Sequence, residues 1–490
     1  MKRYKKILFE IHRTLGVIMS LMFFVWFLSG IVLLFQGFPH ASRKDRFLNL
    51  STFSEDTFKG ILPPSEAFKG AVNLELCDTV PVYRVYESRK KQKVYNAKNL
   101  EEIAFFSEDY ARELCYSFRQ AKVKELLVMN DLDQWIPWSS YKVLLPFYKC
   151  YLDDDKHTVL YISQKTGSIL QETNRKSRWF ARLGAIPHWL YFSNLRQHQG
   201  AWENVLIYLS IVGLFVSLSG LILGFIMMVK KRWLTPYKKK WYRWHHITGY
   251  IFGVFTFTFL LSGLLSMTDI PDWLLFVKQR EKISWEQTLN ITQHESCNPQ
   301  RLYKSISPKK GIRKIEWKSI FDQPYYFVYY DDFKNPKVYQ QLKDTIVLHE
   351  GFTFEQIAAE SEKRFAKKPV KLFVQNEYDN YYRFYKMYHC PLPVYRLDFN
   401  DDAKSCLYIS PKTAEKVMRV DRTSRVRRWL YGALHTFGFG ILNDIEWLRK
   451  LLIILASTGG LFLSYTAVVL SFRWIRRKKN KYTKKKRLSR

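Results

Sequence analysis

Four stretches of the 490-residue chain, residues 14–38, 205–229, 247–268 and 451–472, carry no charged residue. A bilayer's hydrocarbon core is about 30 Å thick and needs roughly 20 apolar residues at a helical rise of about 1.5 Å each. Each stretch meets that length, so the pattern predicts four transmembrane helices. A secretory signal's apolar part runs only about 7–15 residues, so the first stretch is expected to persist as a span. Between spans the pattern changes to that of small α+β units. Val82-Tyr83-Arg84-Val85-Tyr86 alternates as a strand does, and Leu160 to Ser163 reads as a strand entering the turn Gln164-Lys165-Thr166-Gly167. Ser65-Glu66-Ala67-Phe68 and Thr353-Phe354-Glu355-Gln356-Ile357-Ala358 read as helix starts after turn or polar signals.

Charge orients the spans. The net charge of +34 would suit nucleic acid, but its placement argues against that partner. Lys2, Arg3, Lys5 and Lys6 precede the first span, and Lys230, Lys231, Arg232, Lys238, Lys239, Lys240 and Arg243 fill the link between the second and third. Arg473, Arg476, Arg477, Lys478, Lys479 and a basic tail follow the fourth. With four spans these short segments share one face, and the positive-inside rule makes both termini cytoplasmic. The tail is expected to meet anionic lipid headgroups. The predicted layout is a cytoplasmic N-terminus and first span (1–38), a first periplasmic domain (39–200), the second span (201–230) and a basic loop (231–244). The third span (245–269), a second periplasmic domain (270–446), the fourth span (447–474) and a basic tail (475–490) follow. Trp189, Tyr191, Trp202, Trp241, Trp244 and Trp447 suit interfacial aromatic belts. All six cysteines fall in the external segments, where an oxidising compartment permits disulfides, and no CxxC or zinc spacing occurs.

The chain also repeats itself. Shifting by 233 lays His12 on His245, Gly16 on Gly249 and Ser29-Gly30 on Ser262-Gly263. Shifting by 247 lays Leu145-Pro146-Phe147-Tyr148-Lys149 on Leu392-Pro393-Val394-Tyr395-Arg396, Asp154-Asp155 on Asp401-Asp402, and His188 on His435. Each half reads as span, external domain, span. The spans begin on the same side, so this is a parallel repeat with a pseudo-two-fold along the membrane normal.

The histidines carry the candidate chemistry. His12 lies one turn into the first span and His245-His246 open the third, while His188 and His435 precede the return spans at the other face. Ionisable groups at such depths are costly and are functional candidates. Facing helices can each give an imidazole to a haem iron, and glycine one turn from His12 and His245 would admit a flat macrocycle. Depth pairs His12 with His245 near the cytoplasmic surface and His188 with His435 near the outer one. A single histidine at a helix end is commonly only an interfacial polar residue; repetition in register shifts the balance toward ligation. His246 and His198 lack counterparts and are secondary candidates, and His40, His157, His294, His349 and His389 read as surface residues. Tyr378 to Tyr382 and Asp131 to Trp135 read as core rather than substrate surface, and Asp154-Asp155 and Asp401-Asp402 as turns. No P-loop, GxGxxG or flavin fingerprint occurs, so an electron donor would be a separate molecule.

These motifs resemble the PepSY-associated transmembrane family, the iron-regulated membrane proteins that include inner-membrane ferric-siderophore reductases. The resemblance rests on His12-Arg13-Thr14-Leu15-Gly16, Trp244-His245-His246-Ile247-Thr248-Gly249, Pro187-His188-Trp189-Leu190-Tyr191-Phe192, Leu434-His435-Thr436-Phe437 and Ser262-Gly263-Leu264-Leu265-Ser266-Met267. It implies a membrane α-helical fold of four spans with two α+β PepSY-like external domains in a bacterial inner membrane. It also implies b-type haem, two per chain, on membrane histidines, with electrons passed to a periplasmic ferric chelate or siderophore to release Fe(II). The donor would be a quinol or a cytoplasmic reductase. Two alternatives remain open: a non-enzymatic, membrane-tethered PepSY protein-binding or inhibitory module, and a transporter, against which stand few charges within the spans and no broken-helix pattern.

Overall fold

The computed structural model describes residues 2–68, 70–88, 91–229, 235–280, 283–285, 298–342, 345–365, 370–383 and 390–488. His294, His389, Cys297 and the basic residues Lys230, Lys231 and Arg232 lie outside the described residues. The chain forms two compact units: Met1–Phe38 with Lys176–Pro271 and Val426–Arg490, and Pro39–Arg175 with Asp272–Arg425.

The first unit holds four long helices, Lys2–Leu33, Gln199–Val229, Lys240–Met267 and Glu446–Leu488. All four are long and apolar enough to cross a membrane. The first, third and fourth exceed the uncharged stretches because basic residues continue the same helices, where lysine and arginine are good helix formers. Consecutive helices pack together and the fourth closes the ring on the first. Two glycines on the fourth helix make the close approach possible. A side chain at Gly459 would collide with Phe252, and one at Gly460 with Phe27. Phe27 in turn lies 6.3 Å from Phe259, so aromatic rings fill the middle of the bundle.

The second unit contains three antiparallel sheets. β1 (Ala71–Cys77), β2 (Val80–Ser88) and β3 (Lys91–Asn96) come from the first external segment. β8 (Lys314–Ile320), β9 (Gln323–Tyr329), β10 (Lys337–Leu342) and β11 (Thr345–His349) come from the second. They form one seven-stranded sheet ordered β11-β10-β9-β8-β1-β2-β3. At the seam β1 pairs with β8, Val72 opposite Trp317 and Leu74 opposite Ile315. Two four-stranded sheets complete the unit. One has the order β4 (Val123–Met129), β5 (Phe147–Leu152), β6 (Val159–Ser163), β7 (Ile169–Thr173). The other has the order β12 (Val370–Gln375), β13 (Val394–Phe399), β14 (Cys406–Ile409), β15 (Lys416–Val420).

The first four-stranded sheet takes the apolar face of the helix Glu108–Arg119, through Ala111, Cys115 and Phe118. The second takes Ile357 of Phe354–Arg364, a helix opened by the capping box of Thr353 and Gln356.

Two sequence expectations change. Residues 39–200 and 270–446 do not fold as two separate domains. The two segments share the seven-stranded sheet, and the ends beyond Arg175 and Arg425 join the helical unit. The cause is β1, buried along nearly its whole length, whose two edges both need backbone partners. Ser65 to Phe68 forms a turn in which the Phe68 N–H donates to the Ser65 carbonyl, following Pro63-Pro64. The cysteines, whose pairing the sequence leaves open, include five buried free thiols among the described residues, Cys77, Cys115, Cys150, Cys390 and Cys406.

The aspartate pairs do make turns. Asp154 accepts from the Thr158 N–H and hydroxyl, and Asp401 does the same for Ser405. Tyr382 is fully buried beside Tyr408 and Leu132 is buried, whereas Tyr378, Asn380 and Asp131 are exposed, so each segment enters the core only in part.

Candidate functional site

His12 stands in the first long helix and His245 in the third, ten and five residues from the respective starts at Lys2 and Lys240. Their ring centres are 6.3 Å apart with planes tilted by 44°. Both lie toward the end of the bundle that carries the basic segments. At the opposite end the histidines sit on short irregular pieces. His188 belongs to the five-residue helix Ala185–Trp189, and His435 stands two residues after a π-helical turn, Arg428–Ala433. A π turn displaces the residues after it relative to a regular helix, and such turns recur at functional sites.

One anchoring pattern serves all four imidazoles. His12 Nδ1 lies 3.0 Å from the Val216 carbonyl and 3.1 Å from the Ser219 hydroxyl. His245 Nδ1 lies 3.0 Å from the Thr466 hydroxyl and also bonds the Leu463 backbone. His188 Nδ1 is 3.2 Å from both the Trp26 carbonyl and the Ser29 hydroxyl. His435 Nδ1 is 3.0 Å from the Ser262 hydroxyl and 3.2 Å from the Phe259 carbonyl. A carbonyl can only accept, so Nδ1 is the protonated nitrogen in each ring and Nε2 keeps its lone pair. Each hydroxyl donates its own proton to the same carbonyl, three residues back, and so presents its oxygen to the imidazole N–H. No hydrogen bond reaches any of the four Nε2 atoms among the described residues.

The anchors themselves follow the sequence shifts. The shift of 233 that carries His12 to His245 carries Trp26 and Ser29 to Phe259 and Ser262. The shift of 247 that carries His188 to His435 carries Val216 and Ser219 to Leu463 and Thr466. Helices one and three thus bear the imidazoles at the basic end and the acceptors at the other. Ser29 and Ser262 stood in the aligned blocks but had no assigned role, and Ser219 and Thr466 were missed. The signal was present: Val216-Ser217-Leu218-Ser219 overlies Leu463-Ser464-Tyr465-Thr466.

A cavity of about 290 Å³ adjoins His12 and His245, lined by Gly16, Gly220, Gly224, Gly249 and Gly253 from three helices. A Cβ on Gly220 would sit 2.7 Å from His12 Cε1, so the imidazole rests against bare backbone there. Gly30 approaches His188 Cε1 at 3.3 Å by the same measure, and Gly263 approaches His435 Cε1 at 3.9 Å.

An ion bound between two imidazoles sits about 2 Å from each nitrogen, with roughly 1 Å more to each ring centre, or about 6 Å between centres. The 6.3 Å spacing of His12 and His245 fits that arrangement. No group of three or more His, Cys, Asp or Glu that could hold a bare metal ion occurs among the described residues. At the basic end the donor set is two imidazoles beside glycine-lined space, which suits a metal that brings its own planar ligand.

The secondary candidates separate. His198 is exposed and bonds the Asn194 carbonyl at 3.0 Å, apart from either pair. His246 is buried and lines the cavity with neither ring nitrogen hydrogen-bonded among the described residues. His40 and His157 are exposed. His349, read as a surface residue, is instead partly covered, packed 4.4 Å from the Phe352 ring and 5.2 Å from Tyr325.

Fold and site together define a membrane protein with four candidate spans and β-sheet units beside them. Residues 9–477 match the PepSY-associated TM region, and the chain belongs to that family. No curated protein matches the chain.

Proposed function

We propose that the protein is a haem-containing reductase of the bacterial inner membrane that passes electrons outward to periplasmic ferric chelates of siderophore type. The observation that supports this reading best is the shared state of four histidines: Nδ1 donating to a carbonyl and a hydroxyl, Nε2 left with a free lone pair. Outer partners of this kind fix the tautomer and raise the basicity of a metal-ligating imidazole. His12 with His245, and His188 with His435, would hold one haem b each. Bound there, haem b would supply a one-electron redox centre near each membrane surface.

In this reading the halves are a parallel pseudo-repeat, and the external sheets derive from two PepSY-like modules. Both termini are cytoplasmic, in keeping with the basic residues gathered at one end of the bundle. The chain's own part is to position and insulate. The helices exclude water, the glycines admit a flat ligand, and each carbonyl–hydroxyl pair orients an imidazole with Nε2 open. A separate donor, a quinol or a cytoplasmic reductase, provides the electron. Delivered outside, it converts Fe(III) to Fe(II), which hard oxygen ligands hold less tightly, and the metal leaves its chelate.

The test is reoxidation. The protein is reconstituted in vesicles, reduced by dithionite and mixed with a ferric hydroxamate plus an Fe(II) trap. The proposal expects loss of the reduced haem spectrum matched by trapped Fe(II). Spectra that stay reduced, with no Fe(II) formed, would reject iron as the acceptor.

A further inference from the structure

The cavity beside His12 and His245 contains more polar chemistry than the imidazole pair uses. His246 is only 9% exposed, and both of its ring nitrogens lack a hydrogen-bond partner among the described residues. Leaving a buried polar group unsatisfied is destabilising. A helix that placed leucine there would avoid that cost. Arg13 lines the same cavity, and its Nε is likewise buried and unpartnered among the described residues. The rest of its guanidinium pairs with Glu10 and lies 5.5 Å over the Trp474 ring, which holds the fork in place. Tyr242 accepts from Arg477 Nη2 at 3.1 Å, which leaves the phenol proton free to donate. Arg13, Tyr242, His246 and Arg477 all border one space, whereas the remaining wall is largely apolar or glycine.

These groups offer N–H and O–H donors, two of them from cationic side chains. The chemistry they would recognise is an anionic oxygen acceptor, and a carboxylate satisfies it best. We propose that this cluster binds the carboxylate side chains of the haem held by His12 and His245, with His246 and Arg13 as the principal anchors. The inference rests on the haem reading above and adds to it which way round the ligand lies: propionates toward the basic end. Under the shift of 233 His246 falls on Arg13, so at matching positions the two halves bring different donors to the same space.

The test compares haem b with its dimethyl ester, which lacks the carboxylates. The full chain carrying His188→Ala is prepared without haem, so that only the basic-end pair remains, and is titrated with each compound. Haem b is expected to bind at least about tenfold more tightly than the diester, the scale of one charge-assisted hydrogen bond. His246→Leu and Arg13→Gln should each move that ratio toward one while the bis-imidazole absorption spectrum persists. His246→Gln, which keeps a donor, should retain much of the preference. His246→Leu removes an unsatisfied group and should leave the thermal unfolding of the haem-free protein unchanged or raised. Equal affinities in the parent, or a preference untouched by both variants, would overturn the proposal while leaving the haem site standing. Failure of both compounds to give a bis-imidazole spectrum would remove the haem reading and this inference with it.

Discussion

The helical unit and the sheet unit bury polar groups in opposite ways. Across the seven-stranded sheet runs a ladder of alternating charge. Arg84 bonds Glu75 at 2.7 Å, Lys314 lies 4.0 Å from Glu75 and 2.6 Å from Glu316, and Lys318 bridges Glu316 and Glu415 at 3.0 and 2.5 Å. Three cations meet three anions, and the ladder crosses the seam between β1 and β8. In the helical unit the four imidazoles of His12, His245, His188 and His435 are each hydrogen-bonded at Nδ1 and open at Nε2 among the described residues, and buried His246 is bonded at neither nitrogen. Each charge of the ladder has an opposite charge beside it. The imidazoles are held half-satisfied, which is costly unless something completes them. The contrast separates polar groups that specify the fold from those that await a partner.

Removing an imidazole should expose that difference most strongly. His12→Ala and His188→Ala are each expected to lose one haem centre, leaving about one per chain, with the sheet unit's circular dichroism unchanged. Loss of both centres from either substitution would mean the sites are not independent.

Breaking the ladder should do the reverse. Burial by itself would raise the Glu316 carboxyl, but Lys314 and Lys318 outweigh it and hold it at about 2. Its folded-state value is depressed, so its contribution is present above the unfolded value near 4.5 and fades as pH falls toward 2. That shift corresponds to about 3 kcal/mol. Glu316→Gln is therefore expected to destabilise the sheet unit by about 3–5 kcal/mol near neutral pH, because two lysines lose their shared anion. It should also flatten the acid dependence between about pH 4.5 and 2, read by chemical denaturation at a series of pH values. Haem content should not change in the protein that remains folded.

Smaller changes test the anchors. Ser219→Ala removes the hydroxyl but leaves the Val216 carbonyl to hold His12, so haem affinity at the basic end should fall about tenfold, the low end for an outer-shell partner. Ser29→Ala should act in the same way on His188. Equal affinity before and after both changes would show that the hydroxyls do not tune the imidazoles.

The glycines give the finest gradation. Alanine at Gly220 would stand 2.7 Å from the His12 ring and should displace it; at Gly30 the gap is 3.3 Å, and at Gly263 it is an ordinary 3.9 Å contact. Haem retention in gel filtration should fall in that order, with Gly263→Ala close to the parent. The reverse order would mean that ring position does not govern binding.

Much of the helical unit was legible because the bilayer imposes length and apolarity directly on sequence. The uncharged runs at 14–38 and 205–229 lie within or close to the observed helices, and repetition picked out His12, His245, His188 and His435. Repetition also contained Ser219 and Thr466, but a hydroxyl in an apolar helix has many uses, and only the distance to an imidazole reveals this one. The sheet unit was far less legible. Strand edges pair through backbone groups that every residue shares, so nothing in Val72 or Trp317 announces that β1 will choose β8 from the other half. His246 was visible as a residue without a counterpart; its lack of hydrogen bonds is a property of the packed bundle alone.

The measurement closest to the heart of this reading is the reduced-minus-oxidised spectrum of the purified protein from haem-replete cells, taken with haem per chain. Sharp low-spin b-type bands and close to two haems per chain are expected. A colourless, folded protein would contradict the assignment and leave the four histidines as polar packing within a membrane anchor.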